Sequence, residues 1–141
     1  MTSEWGATKK HIPVLQKDVL SYLAVKPDGI YLDGTLGLGG HASAVQKQLS
    51  LKGKLVGFDG DEEAVRHCEK LLSPSCHLVR APYDIFPQHL SSFSIQAVDG
   101  MLLDLGMSSY QLDTPGRGFA YRTEGPLDMR FDKNGSTTAR H

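Results

Sequence analysis

Three carboxylates stand where short apolar runs end. Asp33 closes Ile30-Tyr31-Leu32, Asp59 closes Leu55-Val56-Gly57-Phe58, and Asp104 closes a run through Met101-Leu102-Leu103. Between the first two lies a glycine-rich stretch, Gly37-Leu38-Gly39-Gly40-His41. If each run is a parallel strand, the acids gather on one edge of a sheet, beside a turn with little side-chain bulk. Glycine there lets a backbone approach a ligand where a Cβ would clash. A carboxylate at the end of the second strand can accept hydrogen bonds from both hydroxyls of a ribose. Asp33 and Asp104 would repel a pyrophosphate but attract an ammonium or a sulfonium. The set therefore suits S-adenosylmethionine, which carries both cations and a ribose. The plain alternative for each acid is a helix cap or a loop residue. Residues 37–42 also satisfy G-x-G-x-x-[GA], so the spacing by itself leaves a nicotinamide-dependent oxidoreductase open.

Two further side chains are candidates for that ligand. His41 follows the glycines and could meet the carboxylate end of the cofactor, or simply cap a helix. Tyr83, just past a third apolar run, could stack on an adenine, or sit at the edge of the core. Other chemistries lack their residues. No Gly-Lys-Ser/Thr follows the glycines, so a P-loop is excluded, and no G-x-S-x-G elbow is present. Cys68 and Cys76 have no metal-ligand spacing, and no histidine cluster joins them, so no metal is expected; two free thiols fit a reducing compartment.

The elements that must position these residues follow from periodicity. Pro13 opens a helical stripe of Val14, Leu15, Val19, Leu20 and Leu23, ended by Pro27-Asp28-Gly29. Strands are expected over residues 30–33, 55–59, 77–80 and 97–104. The second is apolar on both faces, as a buried parallel strand should be. Ala42, Val45 and Leu49 share one face of the helix after the glycine turn. Asp61 is the expected N-cap of the next helix, with Ala64, Val65, Cys68, Leu71 and Leu72 inward and Arg66, His67 and Lys70 outward. A short helix precedes the fourth strand. The alternation predicts an α/β fold with a parallel sheet of about four strands. Beyond Asp104 the chain is rich in glycine with little periodicity, so an irregular loop segment is expected.

Composition bounds the class. The chain has 141 residues, a net charge of -1, and 40% hydrophobic and 22% charged residues. That is an ordinary globular balance, without the global basic footprint of a non-specific nucleic-acid binder. No membrane-length apolar run and no apolar leader occur, so a cytoplasmic protein is expected.

Longer motifs are more specific. His11-Ile12-Pro13-Val14-Leu15, the stretch from Asp33 to His41, Leu103-Asp104-Leu105-Gly106-Met107-Ser108-Ser109-Tyr110-Gln111, Arg117-Gly118-Phe119-Ala120 and Gly125-Pro126-Leu127-Asp128-Met129-Arg130 together closely resemble the MraW/RsmH family. The resemblance covers about residues 11 to 138. It implies a Rossmann-like class I methyltransferase fold and S-adenosylmethionine-dependent methylation of N4 of a cytidine in small-subunit ribosomal RNA. The partner it implies is that RNA, or a 30S-type subunit. Carried over by position, cofactor contacts fall on Gly39, Gly40, His41, Asp59, Tyr83, Asp104 and Gln111, with Asp33 beside them. Asp104 is also the candidate catalytic group. Ser108, Ser109, Asp128 and Arg130 are candidates for orienting the target base or its phosphate; the plain alternatives are a turn at Ser108-Ser109 and a local Asp128–Arg130 ion pair. The chain departs from the family pattern at Leu36, Leu38, Gly60 and Tyr110.

The organisation expected is a flexible tail over residues 1–10, the N-terminal part of the cofactor-binding domain over 11–112, and a loop segment over 113–141 leading into a helical substrate domain that is missing here. Family members are longer, so this chain alone is expected to keep the cofactor site with little or no turnover. A catalytically inactive cofactor- or RNA-binding fragment is therefore the competing class.

Overall fold

The computed structural model describes residues 13–141. The expected tail and the His11-Ile12 start of the first motif lie outside the described residues. The order of elements is α1 (Gln16–Leu23), β1 (Ile30–Asp33), α2 (Gly40–Gln46), β2 (Lys54–Asp59), α3 (Glu62–Leu71), β3 (His77–Arg80), a 3-10 turn (Tyr83–Ile85), α4 (Phe86–Ser92), β4 (Gly100–Leu102) and α5 (Ser109–Asp113). All four strands are parallel, in the order β3-β2-β1-β4. The chain therefore builds outward from β1 to β3, then returns to the other side of β1. That reversal opens a crevice at the carboxyl ends of the strands, the usual ligand position in open α/β sheets.

Strand alternation sorts the core into two layers. Tyr31 and Leu55 point to one face, where they pack with Leu36, Ala42, Val45, Cys68 and Leu72, and with Leu20 and Leu23 of α1. Leu32, Val56 and Phe58 point to the other, with Ala81, Leu90 and Ile95. Asp61 caps α3 by accepting from the Glu63 N–H at 3.0 Å.

Four expectations change. The first helix begins only at Gln16; Val14 and Leu15 are exposed, and Leu15 is left-handed with φ 50°. Leu71 is 47% exposed, since it ends α3 and leans only its tip toward Gly39. The fourth strand is shorter than residues 97–104. Before it, the Asp99 carboxylate turns to accept from the Ile30 N–H at 2.9 Å and from Lys26 at 3.1 Å. After it, the Asp104 N–H donates to the Thr35 hydroxyl at 2.8 Å, so a side chain replaces the next ladder bond. Finally, the loop segment contains a helix: α5 starts with a capping box in which Ser108 and Gln111 satisfy each other's backbone N–H.

The glycine turn also differs from expectation. Gly37 and Gly39 have φ of 50° and 74°. A Cβ on Gly39 would lie 2.9 Å from Cys68 Sγ and 3.0 Å from Leu71 Cδ2, and one on Gly40 would meet the ring of Pro13. These two glycines make room for the chain's own α3 and Pro13. Gly39→Ala should thus cost about 2 kcal/mol, from the left-handed backbone and the crowding together. Urea denaturation measures this, and an unchanged midpoint would refute it.

Candidate functional site

A cavity of about 800 Å³ opens in the crevice, with residues following all four strands in its wall. Gly34 and Thr35 follow β1, Asp59 ends β2 with Gly60 and Asp61 after it, Pro82 and Tyr83 follow β3, and Asp104 follows β4. That volume lies within the range of small-molecule sites, about 300–1,000 Å³.

Asp59 is fixed by two backbone bonds. Its Oδ2 accepts from Gly37 N–H and its Oδ1 from Asp61 N–H, both at 2.8 Å. Partial burial pushes this carboxyl upward, while the two N–H bonds pull it down. Each oxygen keeps a further lone pair. The carboxylate is therefore oriented by the turn and can still accept hydroxyl donors from the cavity.

Asp33 behaves differently. It is buried, with Oδ1 taken by Thr35 N–H at 3.0 Å and Oδ2 without a hydrogen-bond partner among the described residues. Burial pushes it up to about 6, with neighbouring Asp59 and Asp104 adding to the rise. It lies behind the wall formed by Gly34 and Thr35, and does not itself line the cavity.

His41 is buried at the start of α2, its Nε2 3.6 Å from Asp104 Oδ2 on the cavity wall. Tyr83 is half-exposed in the wall, its Cβ close enough to Gly34 that a Cβ there would come within 2.9 Å. Gly40 lines the cavity; Gly39 does not, because it faces α3. Gln111 lines it too, but both ends of its amide are engaged: Oε1 accepts from Ser108 N–H at 3.0 Å, and Nε2 donates to Asp61 Oδ2 at 3.4 Å. Ser108 and Ser109 are in the wall, with the Ser108 hydroxyl accepting from Gln111 N–H. Asp128 and Arg130 are outside it and form a bidentate pair, with both bonds at 2.8 Å. That contact holds the Asp128 carboxyl down to about 2.

Sequence reasoning missed the polar junction beneath the cavity. Arg117 is buried, and its Nη2 lies 2.8 Å from Asp61 Oδ2 and its Nη1 3.4 Å from Glu63 Oε2. Glu63 also accepts from Tyr110 Oη at 3.0 Å and from Lys133 Nζ at 2.8 Å, and the Lys133 bond leads in drawing its carboxyl down. The signal available was acidic residues at the start of α3 facing basic residues in an aperiodic segment. Nothing in spacing says which residues would pair.

The architecture is that of an open α/β ligand-binding fold, and the comparisons sharpen it. A solved structure from Clostridium thermocellum shares the fold with a TM-score of 0.54 at 20% identity, over 70% of this chain and 57% of that one. The profile of the MraW methylase family matches residues 8–141, and this chain belongs to that family. It is 50% identical over 135 residues to ribosomal RNA small subunit methyltransferase H of Halothermothrix orenii, spanning 94% of this chain and 43% of that protein. The match to methyltransferase H 2 of Agathobacter rectalis is 47% over 135 residues, again 43% of its length. The chain thus spans less than half the length of the curated relatives it matches.

Asp33 yields a pH prediction. Folding raises its proton affinity, so its contribution is fully present below about pH 4 and is lost as pH rises through about 6. Relative to Asp33→Asn, the native chain should lose on the order of 3 kcal/mol of stability between those limits. Parallel stability curves for the two proteins across that window would show that Asp33 is not so perturbed.

Proposed function

We propose that this chain binds S-adenosylmethionine in the cavity and forms the cofactor-holding part of a methyltransferase acting on small-subunit ribosomal RNA. The observation that carries the reading is the Asp59 carboxylate, fixed by two backbone N–H groups at the cavity wall with accepting capacity to spare. A ribose diol matches that acceptor. The aromatic face of Tyr83 suits an adenine. Asp104, half-exposed beside His41, suits the ammonium or sulfonium end, and buried Asp33 adds negative potential behind the turn. Gly39 acts through the turn geometry, Gly40 and His41 through the wall, and Gln111 by bracing Asp61. These residues fit the group: the cavity offers acceptors where the ligand carries donors and positive charge.

Bound S-adenosylmethionine would supply a methyl carbon on a sulfonium, with a neutral thioether as the leaving group. The residues must hold an incoming nitrogen in line with the carbon–sulfur bond. For a cytosine N4, the lone pair is conjugated into the ring. Asp104 is the proposed acceptor for an N4 hydrogen, drawing electron density onto the nitrogen. The cytosine-N4 target is the finer part of this proposal, resting on the motif resemblance. Ser108 and Ser109, in the wall beside Asp104, are proposed to contact the base. Asp128 and Arg130 shape the loop that follows; with Nε and Nη2 on Asp128 and Nη1 on the Gly135 carbonyl, Arg130 has only its remaining Nη hydrogens to offer a phosphate. Residues 11–112 are read as the N-terminal part of the cofactor domain, with 113–141 leading toward a substrate domain. The relatives' greater length supports reading this chain as the ligand-binding part, with turnover belonging to a longer protein. Among the described residues no helix is long and apolar enough to cross a membrane, and a cytoplasmic location belongs to the same proposal.

Calorimetry tests the binding step. S-adenosylhomocysteine should bind and NAD should not; the reverse would favour an oxidoreductase. Asp59→Ala should weaken binding by about 1–3 kcal/mol, the worth of charge-assisted bonds, and equal affinity would remove Asp59 from the site. Radiolabelled cofactor with small-subunit RNA should label RNA strongly with a longer relative and weakly or not with this chain. Equal labelling would show that this chain is a complete catalyst.

A further inference from the structure

We propose that Arg117 is a positioning residue for the nucleoside end of the ligand, acting through Phe131 and Asp61 without touching the ligand; this rests on the reading of the cavity given above. Arg117 does two things with one guanidinium. On one side its Nη2 meets Asp61 Oδ2 at 2.8 Å. On the other, the same nitrogen donates to the carbonyls of Arg130 at 3.0 Å and Phe131 at 3.3 Å. Nη2 has two N–H donors for these three acceptors, so one N–H is shared between the two carbonyls, while Nη1 reaches Glu63 Oε2 at 3.4 Å. A planar fork holds both nitrogens in place at once, which a single ammonium cannot match in geometry.

Both ends of this junction reach the cavity wall. Phe131 lines the cavity, and its Cβ would come within 3.5 Å of a Cβ on Gly60, the residue between Asp59 and Asp61. Its ring is held edge-on against Phe119, centroids 5.5 Å apart at 80°, and the Arg117 guanidinium lies 5.7 Å from the Phe119 centroid. Phe131 is thus held by its carbonyl and by its ring. At the other end, the peptide N–H of Asp61 is one of the two donors that orient Asp59. One buried cation therefore fixes an apolar wall beside Asp59 and braces the residue that aims the Asp59 carboxylate. The ligand's nucleoside is the part that meets both.

The experiment measures calorimetric affinity of the chain for S-adenosylhomocysteine and for adenosine alone, at a low temperature where circular dichroism reports every protein folded. Arg117→Met should weaken both ligands by the same factor, ten-fold or more, which locates the loss at the nucleoside. Phe131→Ala should reproduce that loss, and Arg117→Lys should fall between native and Met. A role confined to stability would lower the melting temperature of Arg117→Met while leaving both affinities at native values, and that result overturns the proposal. If Arg117→Met does not fold, Phe131→Ala and Arg117→Lys decide it: weaker adenosine binding by both supports positioning, and native affinity in both overturns it. If native protein binds neither ligand, the cavity reading itself fails and this proposal with it. If native protein binds both and the variants match it, only this proposal fails.

Discussion

A buried ion pair, Arg117 with Asp61, joins the sheet to the irregular segment that completes the cavity. An unpaired charge in that position would be strongly destabilising, so each member requires the other. Both Asp61 oxygens are engaged: one caps α3, and the other takes Arg117 and Gln111. Its position at the start of α3 also suits negative charge through the helix dipole. The residues after Asp104 have little apolar periodicity with which to fold onto the sheet. They are ordered instead by polar contacts that converge on three adjacent acids, with Arg80 reaching both Glu62 and Asp132. Tyr110 joins them through Glu63.

The same convergence explains why one small region carries the site. The glycine turn is tied to β2 through Asp59, β2 is tied to α3 through Asp61, and α3 is tied to the distal loop through Arg117 and Glu63. Three carboxylates then surround the crevice at different depths. Asp59 is oriented and accessible, Asp104 is half-exposed beside His41, and Asp33 is buried behind Thr35. Burial raises the proton affinity of Asp33, and the neighbouring carboxylates add to that rise; together the acids favour a ligand bearing positive charge.

The sheet was legible because its signals are local. Segments of four to six residues with apolar centres, the first two ended by an acid, fall on β1, β2 and β3, and Asp61 is the cap expected from its type and place. The Ser108-x-x-Gln111 box was equally local, yet its helix is only a turn or so long and carries little periodicity to draw attention. What could not be read were the contacts made at a distance. Arg117 finds Asp61 across 56 positions of chain. Gly39 reads as space for a ligand, and that space is used by α3, while Gly40 lines the cavity and also makes room for Pro13. The pattern over 97–104 reads as one strand ending at Asp104, while Asp99 bonds Ile30 and Lys26 and Asp104 bonds Thr35, which leaves Gly100–Leu102.

The direct test of this account is a crystal structure of the chain with S-adenosylhomocysteine. The account predicts both ribose hydroxyls at about 2.8 Å from the two oxygens of Asp59, with the purine beside Tyr83 and Phe131 closing the wall. Ordered ligand at any other place, or a ribose turned away from Asp59 inside this cavity, would contradict it.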